Sequence, residues 1–120
     1  MPYKISWAYL AGVIDADGAI MITKQTIGHR GRLLIAITNT HRDFLERLQN
    51  FTKTGWIVAN PQEKYQDIYR LNWDNKQAEV ILRKIYPHLV LKRPQADIAL
   101  EYRKTFDYAR ENKEVNCSWR

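Results

Sequence analysis

The sequence predicts an α+β fold in which one antiparallel sheet carries its helices on a single face. Three observations predict it. Two β-rich hairpins, each built around a polar turn, are separated by a segment of helical spacing. Helical segments also precede the first hairpin and follow the second. A chain of 120 residues has room for one modest core, so both hairpins must share one sheet rather than build two. With 45% hydrophobic and 27% charged residues the chain lies in the folded class. It has no repeats or low-complexity linkers, and residues 1–120 are read as a single domain.

The elements follow in order. Ser6 is placed to cap a first helix, in which Trp7, Leu10, Ala11 and Ile14 recur at spacings of three and four until Gly18 stops it. Residues 19–26 and 32–38 form the first hairpin around the turn Gly28 to Gly31. Phe44, Leu45, Leu48 and Phe51 set a second helix over 41–53, with Asn39 or Thr40 placed to cap it and Gly55 to end it. Residues 56–60 and 68–73 make the second hairpin, and 75–86 a third helix. Pro87 and Pro94 bracket an irregular loop, after which a last helix runs from Pro94 to about Glu111.

Helices on one face leave the other face of the sheet open. Period-two alternation puts Met21, Thr23 and Gln25 opposite Ile20 and Ile22, and sets Ile68, Arg70 and Asn72 against Tyr69, Leu71 and Trp73. Arg30 and Arg32 share one side of the second strand. The outward set is polar and cationic, which suits either a solvated face or a nucleic-acid surface. The charge balance of 19 Lys and Arg against 13 Asp and Glu, a formal net +6, favours a polyanionic partner.

Other classes are excluded on composition. The lone Cys117 allows neither an intrachain disulfide nor a cysteine-rich zinc module and suits a reducing compartment. No apolar run approaches the ~20 residues needed to span a bilayer, and the N-terminal residues carry no signal-peptide pattern. The expectation is an intracellular protein, cytoplasmic or organellar rather than secreted, with no membrane role.

Chemistry concentrates in residues 10–18, Leu-Ala-Gly-Val-Ile-Asp-Ala-Asp-Gly. Asp15 and Asp17 fall at the negative end of a helix dipole, where a carboxylate is destabilising by several tenths of a kcal/mol. A cation is needed to offset the pair, and carboxylates with carbonyl oxygens form hard-oxygen sites for Mg²⁺. Ala8, Gly12 and Ala16 recur every four residues, a stripe with almost no side-chain bulk that lets a second helix approach closely. That helix is either internal or the same helix of a second copy.

These nine residues differ from the signature of the LAGLIDADG homing endonucleases only by Val13 in place of Leu, and the αββαββα order matches that family's core over most of the chain. The resemblance implies a saddle-shaped antiparallel sheet and a site-specific double-strand DNA endonuclease. One motif per chain implies the homodimeric branch, acting on a long pseudo-palindromic site, with hydrolysis dependent on Mg²⁺ or another divalent metal. It also implies roles for particular residues. Asp17 and the carbonyl of Ala16 are similar to the family's metal ligands, and Ala8, Gly12 and Ala16 to its interface positions. Asn39 resembles a polar residue that orders water near the metals, one methylene shorter than the usual Gln. Lys92 resembles the active-site lysine, with Arg93 as the alternative. On the strands, Arg30, Arg32 and Arg70 suit guanine, Gln25 and Asn72 suit adenine, and Met21, Thr23 and Asn60 complete the expected DNA-binding set. A non-cleaving DNA-binding regulator or an intron-RNA maturase on the same fold is the alternative function.

Overall fold

The computed structural model describes residues 4–23 and 31–111, with side chains up to Lys104. Helix α1 (Trp7–Asp17) is followed by strands β1 (Gly18–Thr23) and β2 (Arg32–Asn39), helix α2 (Arg42–Thr52), strands β3 (Trp56–Asn60) and β4 (Ile68–Asp74), and helix α3 (Asn75–Ile85). A 3₁₀ turn, Tyr86–His88, and helix α4 (Arg93–Glu111) complete the described residues. The four strands form one sheet in the order β1-β2-β4-β3, antiparallel throughout. The two hairpins are therefore joined along β2 and β4, with Ala36 opposite Asn72 and Ile37 opposite Leu71.

The helices close over one face. Leu33, Ile35, Ile37, Leu71 and Trp73 point into a buried core with Leu10 and Ile14 of α1, Leu45 and Leu48 of α2, Ile81, Leu82 and Ile85 of α3, and Ala96 and Ala99 of α4. Burying a large aliphatic side chain stabilises the fold by about 1.5–3 kcal/mol, and the period-two pattern of β2 and β4 directs that gain to one side. The buried Trp73 indole retains its polar partner, donating from Nε1 to Thr54 O at 3.1 Å and Thr52 Oγ1 at 3.3 Å.

Helix ends follow the sequence in part. Ser6 caps α1, its Oγ accepting from Tyr9 N at 3.1 Å. Gly18 ends that helix for a reason other than left-handed backbone: it is extended at φ −91°, and a Cβ here would lie 2.8 Å from Ile14 Cα. The close turn from helix into β1 is what requires glycine. Helix α2 begins differently from expectation. His41 takes the N-cap position without a side-chain bond, while Asn39 Oδ1 accepts from His41 N at 2.8 Å, bracing the turn from two residues upstream. The helix ends at Lys53 in the left-handed region, φ 60°, and Gly55 follows at φ +96° against Trp73.

Candidate active site and nucleic-acid interface

The carboxylates of α1, paired in sequence, separate in space. Asp15 is satisfied within the chain: Oδ2 accepts from Val90 N at 2.7 Å and Leu91 N at 3.2 Å, and Oδ1 from Lys92 N at 2.9 Å. Burial pushes this carboxyl up, but the N–H groups of Lys92, Val90 and Leu91 and the Lys92 charge outweigh it, leaving its pKa below the ordinary aspartate value. The expectation that both acids await a cation is thus corrected. Three backbone donors offset Asp15, and Asp17 alone is left. Asp17 is exposed at the last position of α1, and among the described residues no hydrogen bond or ion pair engages its carboxylate.

The loop that Asp15 holds carries Lys92. Its ammonium donates to the carbonyl of Asp15 at 2.8 Å, satisfying one of the carbonyls a helix end leaves open. Lys92 is half-buried, and this bond puts its ammonium at the end of α1, the end that carries Asp17. Arg93 points elsewhere: its guanidinium donates to the carbonyls of Pro87 at 3.1 Å and Tyr86 at 3.4 Å and lies 5.2 Å from the centre of the Tyr86 ring. Of the two cations, geometry brings Lys92 to the α1 terminus and commits Arg93 to the 3₁₀ turn. Asn39 has its Oδ1 occupied by His41, the ring Nδ1 included at 3.2 Å.

A divalent ion fits this helix end only in part. Asp17 presents a free carboxylate and Ala16, also exposed, precedes it. Among the described residues, however, no three His, Cys, Asp or Glu groups converge on one point. Mg²⁺ is usually held by one or two carboxylates together with waters and phosphate oxygens, and one chain offers one. The stripe along α1 supplies a route to a second. Ala8, Gly12 and Ala16 are all exposed, and a Cβ at Gly12 would meet nothing within 4 Å. Among the described residues no helix packs there, so the stripe has no internal partner among them.

On the outer face, cross-strand register lines up Ala19, Ala36, Asn72 and Trp56 in one row and Thr38, Arg70 and Val58 in the next. Arg70 is exposed, as are Thr23 and Asn60, and Met21 is half-buried. Arg32 is exposed but engaged, its guanidinium 3.0 Å from Asp74 and 5.7 Å from the Trp56 ring centre. Asn72 departs from expectation. It lies on the outer face as alternation requires, yet only 4% of its surface is exposed, between Ala36 and Trp56, with Nδ2 donating to Arg70 O at 3.2 Å. It braces the sheet rather than offering its amide to a base. Gln25 and Arg30 lie outside the described residues. Reading the sequence missed Trp56 and Val58, 37% and 46% exposed on this face. The run Trp-Ile-Val-Ala-Asn has apolar residues at four successive positions, so alternation carried no contrast to mark them.

This α+β fold is shared with homing endonucleases whose structures were solved in complex with DNA. The I-CvuI homing endonuclease, solved with its DNA target and calcium, matches with a TM-score of 0.72 and 21% identity over 91% of this chain and 72% of its own. The archaeal intron-encoded homing endonuclease I-Vdi141I, bound to DNA, matches at 0.66 and 22% over 85% and 69%. The LAGLIDADG homing endonuclease I-GzeII, also bound to its target, matches at 0.72 and 18% over 91% of this chain but 38% of its own. No functionally curated protein matches. The model of the LAGLIDADG-like domain matches residues 5–90, and the chain belongs to the LAGLIDADG family. Its α+β fold is the one read from the sequence.

Proposed function

We propose that the chain is one half of a homodimeric, site-specific DNA endonuclease whose phosphodiester hydrolysis depends on a divalent metal ion. The observation that carries this reading is the free carboxylate of Asp17 at the end of a helix whose small-residue stripe is bare. Packing α1 against α1 of a second copy brings two Asp17 side chains towards one axis, each with its own Lys92. Asp17, with the carbonyl of Ala16, would hold the metal, which when bound supplies Lewis-acid activation of water and stabilises the leaving oxygen. Lys92 places a positive charge beside the site, suited to the charge that builds on phosphate oxygens as the bond breaks. The outer sheet face binds DNA. Arg70 is the uncommitted guanidinium of its described residues and the side chain suited to guanine O6 and N7, while Arg32, paired with Asp74, fits a positioning contact.

The test is selection of cleaved duplexes from a random library with Mg²⁺ present and absent. Twofold-symmetric cut sites that require Mg²⁺ support the reading in full. Symmetric enrichment by binding without cutting would instead show a DNA-binding regulator on this fold.

A further inference from the structure

We infer that Asp15 is a positioning residue: its side chain clamps residues 90–92 onto the end of α1 and thereby holds Lys92 at the helix end that carries Asp17. This rests on the proposed nuclease function for its consequence, but the clamp is a feature of the geometry. One carboxylate accepts three consecutive backbone N–H groups, from Val90, Leu91 and Lys92, at 2.7–3.2 Å. In return, Lys92 Nζ donates 2.8 Å to the carbonyl of the same residue. The two bonded ends of Lys92 are thus fixed to one point of the helix, its backbone through the Asp15 side chain and its ammonium through the Asp15 main chain.

Neither neighbouring element explains this loop conformation without the carboxylate. Leu89 is buried and anchors one end, and Arg93 opens α4 at the other. Between them Val90 and Leu91 are 82% and 69% exposed, so apolar burial does not hold them. Their N–H groups need an acceptor, and only a group with two oxygens directed across the gap serves all three donors. Asparagine at this position keeps one oxygen and turns an NH₂ towards at least one N–H, donor against donor. The isosteric change therefore releases the clamp without altering volume, and leaves Lys92 tied at one end, through its ammonium to the main-chain carbonyl of residue 15, instead of two. Preorganised charge at a reacting phosphate loses its effect when its position is lost.

The experiment compares wild type, Asp15→Asn, Lys92→Ala and the double variant as full chains. Amide hydrogen exchange by NMR is read at residues 90–92, along with single-turnover cleavage and DNA affinity on a site obtained from the selection above. Asp15→Asn is expected to speed exchange of these three amides at least tenfold while the sheet amides keep their protection. It is expected to slow cleavage at least tenfold with affinity within threefold, and to cost under threefold when Lys92 is already Ala. Unchanged exchange at 90–92 overturns the clamp. An equal loss of cleavage in both backgrounds overturns positioning through Lys92. If Asp15→Asn does not fold, Asp15→Ser, with a shorter single acceptor, takes its place under the same criteria. A wild-type chain that never cuts refutes the nuclease reading and with it the catalytic role of Asp15, whereas the exchange measurement still decides the clamp.

Discussion

Gly12 allows folding and association to be moved in opposite directions by one substitution. It lies in the middle of α1, is exposed, and a Cβ there would find open space. For the isolated chain, replacing a mid-helix glycine by alanine removes backbone freedom from the unfolded state at no steric cost, a gain of about 1 kcal/mol. In a domain of this size that raises Tm by roughly 4 °C. For a dimer in which the α1 helices meet along Ala8, Gly12 and Ala16, added bulk is unfavourable. Gly12→Leu inserts a branched side chain where two backbones approach, and overpacking costs about 1–3 kcal/mol per site. A twofold axis applies the change twice, so association weakens by about 2–6 kcal/mol, at least roughly 30-fold in Kd.

The assay is sedimentation equilibrium for Kd, beside thermal unfolding at concentrations below the dissociation constant, where the melt reports the monomer. The expected pattern for Gly12→Leu is a melt at or above that of wild type with dimer lost over the range in which wild type associates. Gly12→Ala should raise the monomer melt with a smaller loss of dimer. A Gly12→Leu protein that dimerises as tightly as wild type would place the interface elsewhere. One whose monomer is destabilised by several kcal/mol would mean that α1 packs internally after all.

Other expected outcomes follow from the site and the packing. Asp17→Asn should retain DNA affinity and lose cleavage by at least about a thousandfold, since it removes the one free carboxylate at the helix end; cleavage near the wild-type rate in a gel assay would refute its assignment. Arg93→Ala should slow cleavage less than tenfold, because its guanidinium serves the Tyr86 and Pro87 carbonyls, while Lys92→Ala slows it far more. Arg70→Ala should relax base preference at one symmetric pair of positions in the selected site, by about 1–3 kcal/mol each; an unchanged profile would count against direct readout. At low pH, Glu79 matters. Burial raises its pKa, but bonds from Arg103 at 2.9 Å and Arg83 at 3.0 Å more than reverse this and hold it below its ordinary value of 4.5. A depressed carboxylate stabilises the fold above its unfolded pKa and loses that contribution as pH falls through the folded one. Glu79→Gln should therefore be less stable than wild type at pH 7, with the difference narrowing below about pH 4 in urea melts.

The architecture was legible because burial in a sheet covered on one side leaves a period-two trace. On β4, Leu71 and Trp73 alternating with Arg70 and Asn72 mark the inner face, whereas β2 is apolar at every position from 33 to 37, so that its inner set, Leu33, Ile35 and Ile37, and the β2–β4 seam are fixed only by the fold. What sequence did not carry was the state of groups whose partners lie far along the chain. Asp15 and Asp17 have the same residue type, one turn and one spacing, so their helix context alone assigns both the same need for a cation. A contact 75 residues away separates them. Asn72 shows the same limit on the sheet: parity placed it outward, and only the register that puts Trp56 and Ala36 beside it shows that it is covered. Lys92 and Arg93, adjacent cations before a helix, were distinguishable only once their acceptors were known.

The separation of the two acids also bears on why a motif so short constrains so much of the molecule. Its first two turns supply Leu10, Ala11 and Ile14 to the core, and its opposite stripe stays bare at Ala8, Gly12 and Ala16. At its end, Gly18 is fixed by the approach of β1 to Ile14, Asp15 organises the 88–92 loop, and Asp17 is left over. One helix therefore joins the core, a bare face, the lysine loop and the free acid within about three turns, and each of these duties falls on different residues. Changes at Gly12, Asp15 and Asp17 should accordingly affect association, lysine placement and chemistry in turn, and a substitution that disturbed all three together would have to act through the helix itself.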